Sequence, residues 1–284
     1  MNHPRHRSRA GVKPAAAFTL VELLVVIGII ATLVGILLPA LAAARGRGEL
    51  AVCHSNVRQL VTASATYAVD HLGYWPVGAR DMQTANLHRW FGTRATAAEA
   101  FGQAGGSLSA YLGGGGDGGD GGVRACPGFV PAEGVGFERA AGGYGYNLHH
   151  LGSSAQTPAA QGSSSGPAAF AERYGNRPAR MVDLTTPTET IAFADAAMPL
   201  FNGLAEYSFL EPPTVQAGGV TLETSPSVHF RHARYASVAW ADGHVTAEPF
   251  GWTRPTNVYG QRNEPAGVGY PGDEAAGNRL FDRE

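Results

Sequence analysis

One carboxylate stands inside the longest apolar run of the chain. Residues Phe18 to Leu38, FTLVELLVVIGIIATLVGILL, carry a single charge, that of Glu22. About 20 apolar residues in a helix span the hydrocarbon core of a bilayer, and a carboxylate at the centre of such a span costs roughly 2.5–3.5 kcal/mol. Glu22 therefore needs a partner, and polar residues kept in spans are usually functional. The alternative is a plain anchor whose Glu22 snorkels. The other residues able to do chemistry are scattered. Asp195 ends a short apolar run, Asp242 precedes Gly243, and His232 lies between Arg231 and Arg234. Asp242 reads as the first residue of a turn, its side chain bonding nearby backbone amides, and His232 as a hydrogen-bonded structural histidine. His149 and His150 are adjacent but lack a partner at zinc-site spacing, so they read as surface residues. Asp117 and Asp120 sit in the glycine tract Gly113 to Gly122, a partial match to calcium-binding glycine repeats that reads more simply as a flexible loop. Cys53 and Cys126 are the only cysteines, with no Cys-x-x-Cys pair. Gly-x-Ser-x-Gly, a phosphate-gripping glycine loop and His-Glu-x-x-His are all missing from the sequence, which points away from an enzyme.

The elements that must carry these residues follow from periodicity. Leu50, Cys53, Val57, Leu60, Val61, Ser64, Ala68 and Leu72 recur at three- and four-residue steps, so the apolar helix is expected to continue from about Phe18 to about His71. Gly73 offers its stop and Pro76 prevents resumption. Pro39 removes one helix hydrogen bond and should kink or loosen the rod, while Gly28 and Gly35 fall on nearly one face and permit close helix approach. Ahead of the run, Arg5, Arg7, Arg9 and Lys13 come with no acidic residue. The positive-inside rule then keeps the N-terminus cytoplasmic and sends the rest outward. Small residues Ala15, Ala16 and Ala17 precede the apolar core rather than follow it, unlike an ordinary secretory signal. Outside the cytoplasm Cys53 and Cys126 are a candidate disulfide, closing a long loop worth roughly 4 kcal/mol, although Cys53 also suits a small apolar helix position.

The remainder is loop-rich, with 39 Gly and 18 Pro in 284 residues and 15% charged residues. Loss of the four basic residues ahead of the span takes the formal net charge from −2 to −6, a weakly acidic balance that disfavours nucleic acid. Thr190 to Asp195 and Tyr235 to Ala241 read as strands, and Asp242-Gly243 between the second and the run HVTAE is a strong hairpin signal. Val238 and Trp240 share one face, Ala239 and Ala241 the other, and Pro249 should close the second strand. An extended strand holds His232 and Asp242 roughly 25–30 Å apart, so they form no catalytic pair. The stretches 113–122 and 152–168 read as flexible insertions.

Residues 18–27, FTLVELLVVI, resemble the processing and methylation segment of type IV prepilins and type II secretion pseudopilins. The resemblance implies cleavage between Ala17 and Phe18 by a prepilin peptidase that also N-methylates Phe18, with Glu22 as mature residue five pairing with a neighbouring subunit's new amine. The family usually has Gly before the cut, whereas this chain has Ala17. A second resemblance joins His232, nine residues and then Asp242-Gly243 to the His-x9-Asp-Gly module of many prepilin-like proteins, supported by CHSNVRQL at 53–60, RACPG at 124–128 and YGYN at 144–147. By analogy with pseudopilin heads that bind calcium, Asp195 and Asp242 are candidate calcium ligands; no other cofactor is implied.

Together these readings predict an α+β, pilin-like fold: a leader, 1–17; an N-terminal helix, 18–72, whose 18–41 part crosses the membrane; and an antiparallel β-sheet head with long loops, 73–284. The function expected is a structural subunit of a type II secretion pseudopilus or related type IV filament. Its partners would be the prepilin peptidase/N-methyltransferase, other pilin-like subunits, the inner membrane and the assembly machinery, with the head periplasmic or extracellular. The alternatives are an anchored binding module recognising a glycan or protein and, more remotely, a tethered hydrolase using Asp195, Asp242 or a histidine.

Overall fold

The computed structural model describes residues 19–82, 85–113, 125–132, 138–152, 178–217 and 220–282. The leader 1–17, Phe18, Asp117, Asp120 and the stretches 113–122 and 152–168 beyond their first residues, Gly113 and Gly152, lie outside the described residues. The chain separates into two compact units, Met1–Arg45 and Gly46–Glu284. Helix α1, Leu20–Asp70, begins in the first and ends in the second. It runs through Pro39, whose ring nitrogen has no proton for the carbonyl four residues back. Its end is a Schellman-type cap: the Gly73 amide bonds the Ala68 carbonyl at 2.8 Å. The left-handed residue next to the helix is Leu72, φ 57°, followed by Gly73, φ 84°. Leu72, expected on the inner face, is thus turned out to solvent, 81% exposed, because the reversal starts one residue before the glycine.

Among the described residues twelve strands follow: β1 His88–Arg89, β2 Gly92–Thr93, β3 Tyr144–Tyr146, β4 Ile191–Asp195, β5 Met198–Leu200, β6 Gly203–Ala205, β7 Thr214–Ala217, β8 Val220–Glu223, β9 Val228–His229, β10 Tyr235–Trp240, β11 Val245–Trp252 and β12 Val268–Pro271. Six of them make one sheet in the order β3-β4-β10-β11-β12-β9, with every pairing antiparallel. A long N-terminal apolar helix followed by an antiparallel sheet is an α+β, pilin-like arrangement.

Both faces of the inner strand β10 are covered. Ala236, Val238 and Trp240 join Ile191, Phe230, Tyr270 and Phe281 in one apolar cluster. Ala239 and Ala241 belong to another that takes in Cys53, Val57, Leu60 and Val61 of α1, so the period-two alternation of β10 sorts residues between two cores. The connection from β10 to β11 is four residues, Ala241, Asp242, Gly243 and His244, with only Gly243 at positive φ, 96°; Ala239 pairs Val245 across it. Pro249 does not close β11, which continues to Trp252. It stands opposite Tyr235, the first residue of β10, and beyond it the partner becomes β12, with Phe250 opposite Pro271. A residue without an amide proton fits where one ladder ends and the next begins.

Candidate functional site

The N-terminal carboxylate has a local partner. Glu22 Oε2 accepts from the Thr19 amide at 2.9 Å and the Thr19 hydroxyl at 2.7 Å, and the Glu22 amide donates to Thr19 Oγ1 at 3.2 Å. This is a reciprocal capping box, Thr-x-x-Glu, written plainly in the sequence as TLVE at 19–22 and overlooked there in favour of charge alone. It satisfies donors that a helix start leaves orphaned and holds the carboxylate against the first turn. In this unit the large apolar side chains from Leu20 to Leu41 are all exposed, and the space beside Gly28 and Gly35 is open.

The second site is buried in the head, where three of the quoted segments converge. Cys53 of α1 and Cys126 form a disulfide, with sequence separation 73. One helical turn on, Asn56 Nδ2 donates to the Tyr144 hydroxyl at 2.9 Å and to the Ala125 carbonyl at 3.5 Å. His232 lies over the disulfide: its Nε2 is 3.5 Å from Cys126 Sγ and 3.5 Å from Asp195 Oδ2. Asp195, the last residue of β4, stands beside the start of β10 because the two strands are antiparallel neighbours, and the Ser237 amide donates to its Oδ2 at 2.7 Å; His232 lies three residues ahead of that start. Arg231 Nε is 3.9 Å from Asp195 Oδ1, and Arg231 Nη2 donates to the carbonyls of Gly143 and Ala196 at 2.8 and 2.9 Å.

Burial decides the charges here. Asp195 is fully buried, with the Arg231 guanidinium as its nearest cation. Burial is the largest influence on His232 and pushes its pKa down; Asp195 opposes this and Arg231 adds to it. The imidazole is therefore neutral near pH 7, with Nε2 directed at a sulfur and a carboxylate. The hydroxyl of Tyr144 is raised above its ordinary value, first by burial and then by Asp195.

The structure does not bring Asp195 and Asp242 together. Asp195 stands beside the start of β10, whereas Asp242 lies past its end, accepting from the His244 amide at 3.0 Å and approaching His244 Nδ1 at 2.6 Å. His232 and Asp242 are likewise at opposite ends of β10. Calcium requires six to eight oxygens, and Asp195 has sulfur, imidazole and guanidinium around it, so the residues present do not fit that ion. His149 and His150 are not surface residues. They lie in the π-turn Leu148–Gly152, which folds back on Asn147: His149 pairs with Glu211, and His150, 4% exposed, lies 3.3 Å from Asp282. Sequence reasoning also missed the buried pair Arg89–Glu138, joined by three bonds of 2.6–3.0 Å. It lines a cleft of 610 Å³ together with His149, Tyr207, Glu211 and Tyr259.

A long exposed apolar helix, a carboxylate capped at its start and an antiparallel sheet beyond it make a pilin-like arrangement, and one comparison with known families points the same way. Residues 13–38 match the prokaryotic N-terminal methylation motif. The motif supports a type IV pilin-like protein anchored in a membrane by a single pass, and it implies processing by a prepilin peptidase and assembly with other pilin subunits. The match ends within the apolar half of α1 and leaves the head uncovered. No curated protein and no solved structure matches the chain at a significant level.

Proposed function

We propose that this chain is a structural subunit of a type II secretion pseudopilus or a related type IV filament, cut between Ala17 and Phe18, N-methylated on Phe18 and assembled through α1. The observation that carries the reading is the methylation motif at 13–38 on a helix whose apolar side chains are exposed. Cleavage places a cation next to the Thr19–Glu22 box. A neighbouring subunit's Glu22 could then exchange its bonds to Thr19 for that amine, a head-to-tail contact that repeats without closing and so builds a helical filament. Open space beside Gly28 and Gly35 lets helices approach closely. The basic N-terminal segment keeps its end in the cytoplasm and sends the head to the periplasm or beyond. Asp242 and Gly243 serve the β10–β11 turn, and His232 serves the buried node.

Intact mass and N-terminal sequencing of the protein from its native membrane test this directly. A chain beginning at N-methylated Phe18 supports the reading; one beginning at Met1 overturns it. Glu22→Ala should leave membrane insertion intact and reduce incorporation into filaments at least tenfold, measured by sheared-filament immunoblot. Normal incorporation of that variant would remove Glu22 from assembly.

The cleft favours a second reading, an anchored module that binds a glycan or protein. Its 610 Å³ falls within the range of small-ligand sites, with aromatic rings and carboxylates on its walls. That function would survive Glu22→Ala, which separates the two.

A further inference from the structure

The buried node contains more ligand chemistry than a disulfide uses. Cys53, Cys126, Asp195 and His232 each present one donor atom, and the four atoms all lie within 4.8 Å of one another. Two thiolates, one imidazole and one carboxylate are a ligand set for zinc, a borderline ion that prefers four tetrahedral donors at about 2.3 Å from sulfur and 2.0–2.2 Å from nitrogen or oxygen. Those bond lengths fix the edges of the tetrahedron: about 3.6 Å between sulfur and nitrogen and about 3.4 Å between nitrogen and oxygen. The observed separations, Cys126 Sγ to His232 Nε2 and His232 Nε2 to Asp195 Oδ2, are 3.5 Å each. The edge that does not fit is sulfur to sulfur, closed here by the covalent bond and about 3.8 Å in a zinc site.

Two further features single the node out. Among the described residues Asp195 Oδ1, the carboxylate's second oxygen, is fully buried with no hydrogen-bond partner, although such atoms are costly to leave unpaired. The charges also balance in both states. Asp195 and Arg231 cancel around the disulfide; with a divalent cation, two thiolates and Asp195, the site carries −1 and Arg231 again cancels it.

We propose that in the dithiol state of the chain Cys53, Cys126, His232 and Asp195 form a tetrahedral site for a zinc-class divalent cation, mutually exclusive with the Cys53–Cys126 disulfide. A dithiol reductant opens the disulfide by exchange, supplying two electrons and two protons and leaving as its own disulfide. The metal ion then displaces two thiol protons. The Ser237 amide, bonded to Oδ2, and Arg231, 3.9 Å from Oδ1, hold the carboxylate in place, the outer-sphere support such sites use. Before oxidation the ion would hold the α1 residue Cys53 to the Cys126 segment, and afterwards the disulfide does.

The test uses the full chain in detergent, reduced under anaerobic conditions and titrated with Co²⁺ as the zinc analogue. The expected result is one equivalent bound with the intense visible absorption of tetrahedral cobalt and a thiolate charge-transfer band, both abolished by one equivalent of Zn²⁺. The oxidised chain should show neither, which also controls for His3 and His6 near the N-terminus. Cys126→Ser should abolish the charge-transfer intensity or halve it. His232→Ala should weaken binding by more than the ~100-fold that loss of an outer-sphere partner produces. If reduction unfolds the head, metal should restore its tryptophan fluorescence, because ligand binding and folding are then one event. Octahedral cobalt only, equal binding by oxidised and reduced chains, or an unfolded reduced head that metal fails to rescue would each overturn the proposal.

Discussion

Opening the Cys53–Cys126 bond with chelator present isolates what the crosslink alone contributes to the head. The two cysteines are 73 residues apart in sequence, and the chain-entropy relation gives about 4 kcal/mol at 25 °C for closing a loop of that length. A mutation worth 1 kcal/mol shifts the midpoint of a 150–250-residue domain by about 2–4 °C, so the head should melt about 8–16 °C lower when reduced. All four tryptophans, Trp75, Trp90, Trp240 and Trp252, lie beyond α1, so fluorescence reports on the head without interference from the detergent-bound helix. Thermal scans of the oxidised chain, the chain reduced with chelator, and Cys53→Ala/Cys126→Ala should place the last two together, with the alanine variant slightly lower because it also loses two buried sulfurs. A shift below about 2 °C, with both thiols verified as free, would mean that the apolar contacts of α1 already constrain the unfolded ensemble and that the entropic argument fails here.

Glu138→Gln should lower head stability by about 3–5 kcal/mol, because it leaves the Arg89 guanidinium buried without a counter-charge; Arg89→Met/Glu138→Leu, read by urea midpoint, should recover most of the loss. Acid should destabilise the head through His229, whose pKa lies well below 6.5 chiefly from burial, then from Arg231 and His232. Its stabilising effect is whole above the unfolded-state value near 6.5 and is lost as pH falls, by about 1.4 kcal/mol per pH unit, so urea midpoints from pH 7.5 to 5.5 should fall, and fall less in His229→Gln. Ala233→Gly should stabilise by about 0.5–1 kcal/mol, since Ala233 and Arg234 occupy left-handed backbone at φ 53° and 69°, which costs a non-glycine residue about 1–2 kcal/mol against the flexibility glycine adds; a lower melting temperature would show the strain to be absent.

What could be read from the sequence was local. The helix was legible because Cys53, Val57, Leu60, Val61, Ser64 and Ala68 share a face over about four turns, and all six are buried. The β10–β11 hairpin was legible because Asp242-Gly243 separates two alternating runs. Features that depend on partners distant in sequence were not. Strands β3 and β9 are three and two residues long, too short to carry a period, and they hold sheet positions through Tyr144 opposite Asp195 and Val268 opposite His229. Arg89 and Glu138 look like ordinary surface charges until the fold sets them together across 49 residues. The burial of His149 and His150 depends on Asn147, whose Nδ2 bonds the carbonyls of Ile191 and Phe281, both at 2.8 Å.

The nine residues between His232 and Asp242 acquire a physical meaning from the sheet. Two are Ala233 and Arg234, a tight reversal in which His232 and Tyr235 exchange both backbone bonds at 3.0 Å; six are β10; the last, Ala241, enters the turn that Asp242 and Gly243 complete. The spacing is thus the length of one buried strand with a turn at each end. Its two polar residues never meet, and each fixes a different boundary. At one end Asp242 ties the turn through the His244 amide. At the other, His232 reaches back over the disulfide that anchors α1 to the head's interior, with Asp195 of the neighbouring strand beside it. An insertion in β10 would turn alternate side chains to the wrong core and pull His232 from Asp195 and Cys126 in the same step. The strand's register and the node's chemistry are therefore one constraint, and a single-residue insertion after Ser237 should cost both the fluorescence of the folded head and the protection of the disulfide from mild reductant.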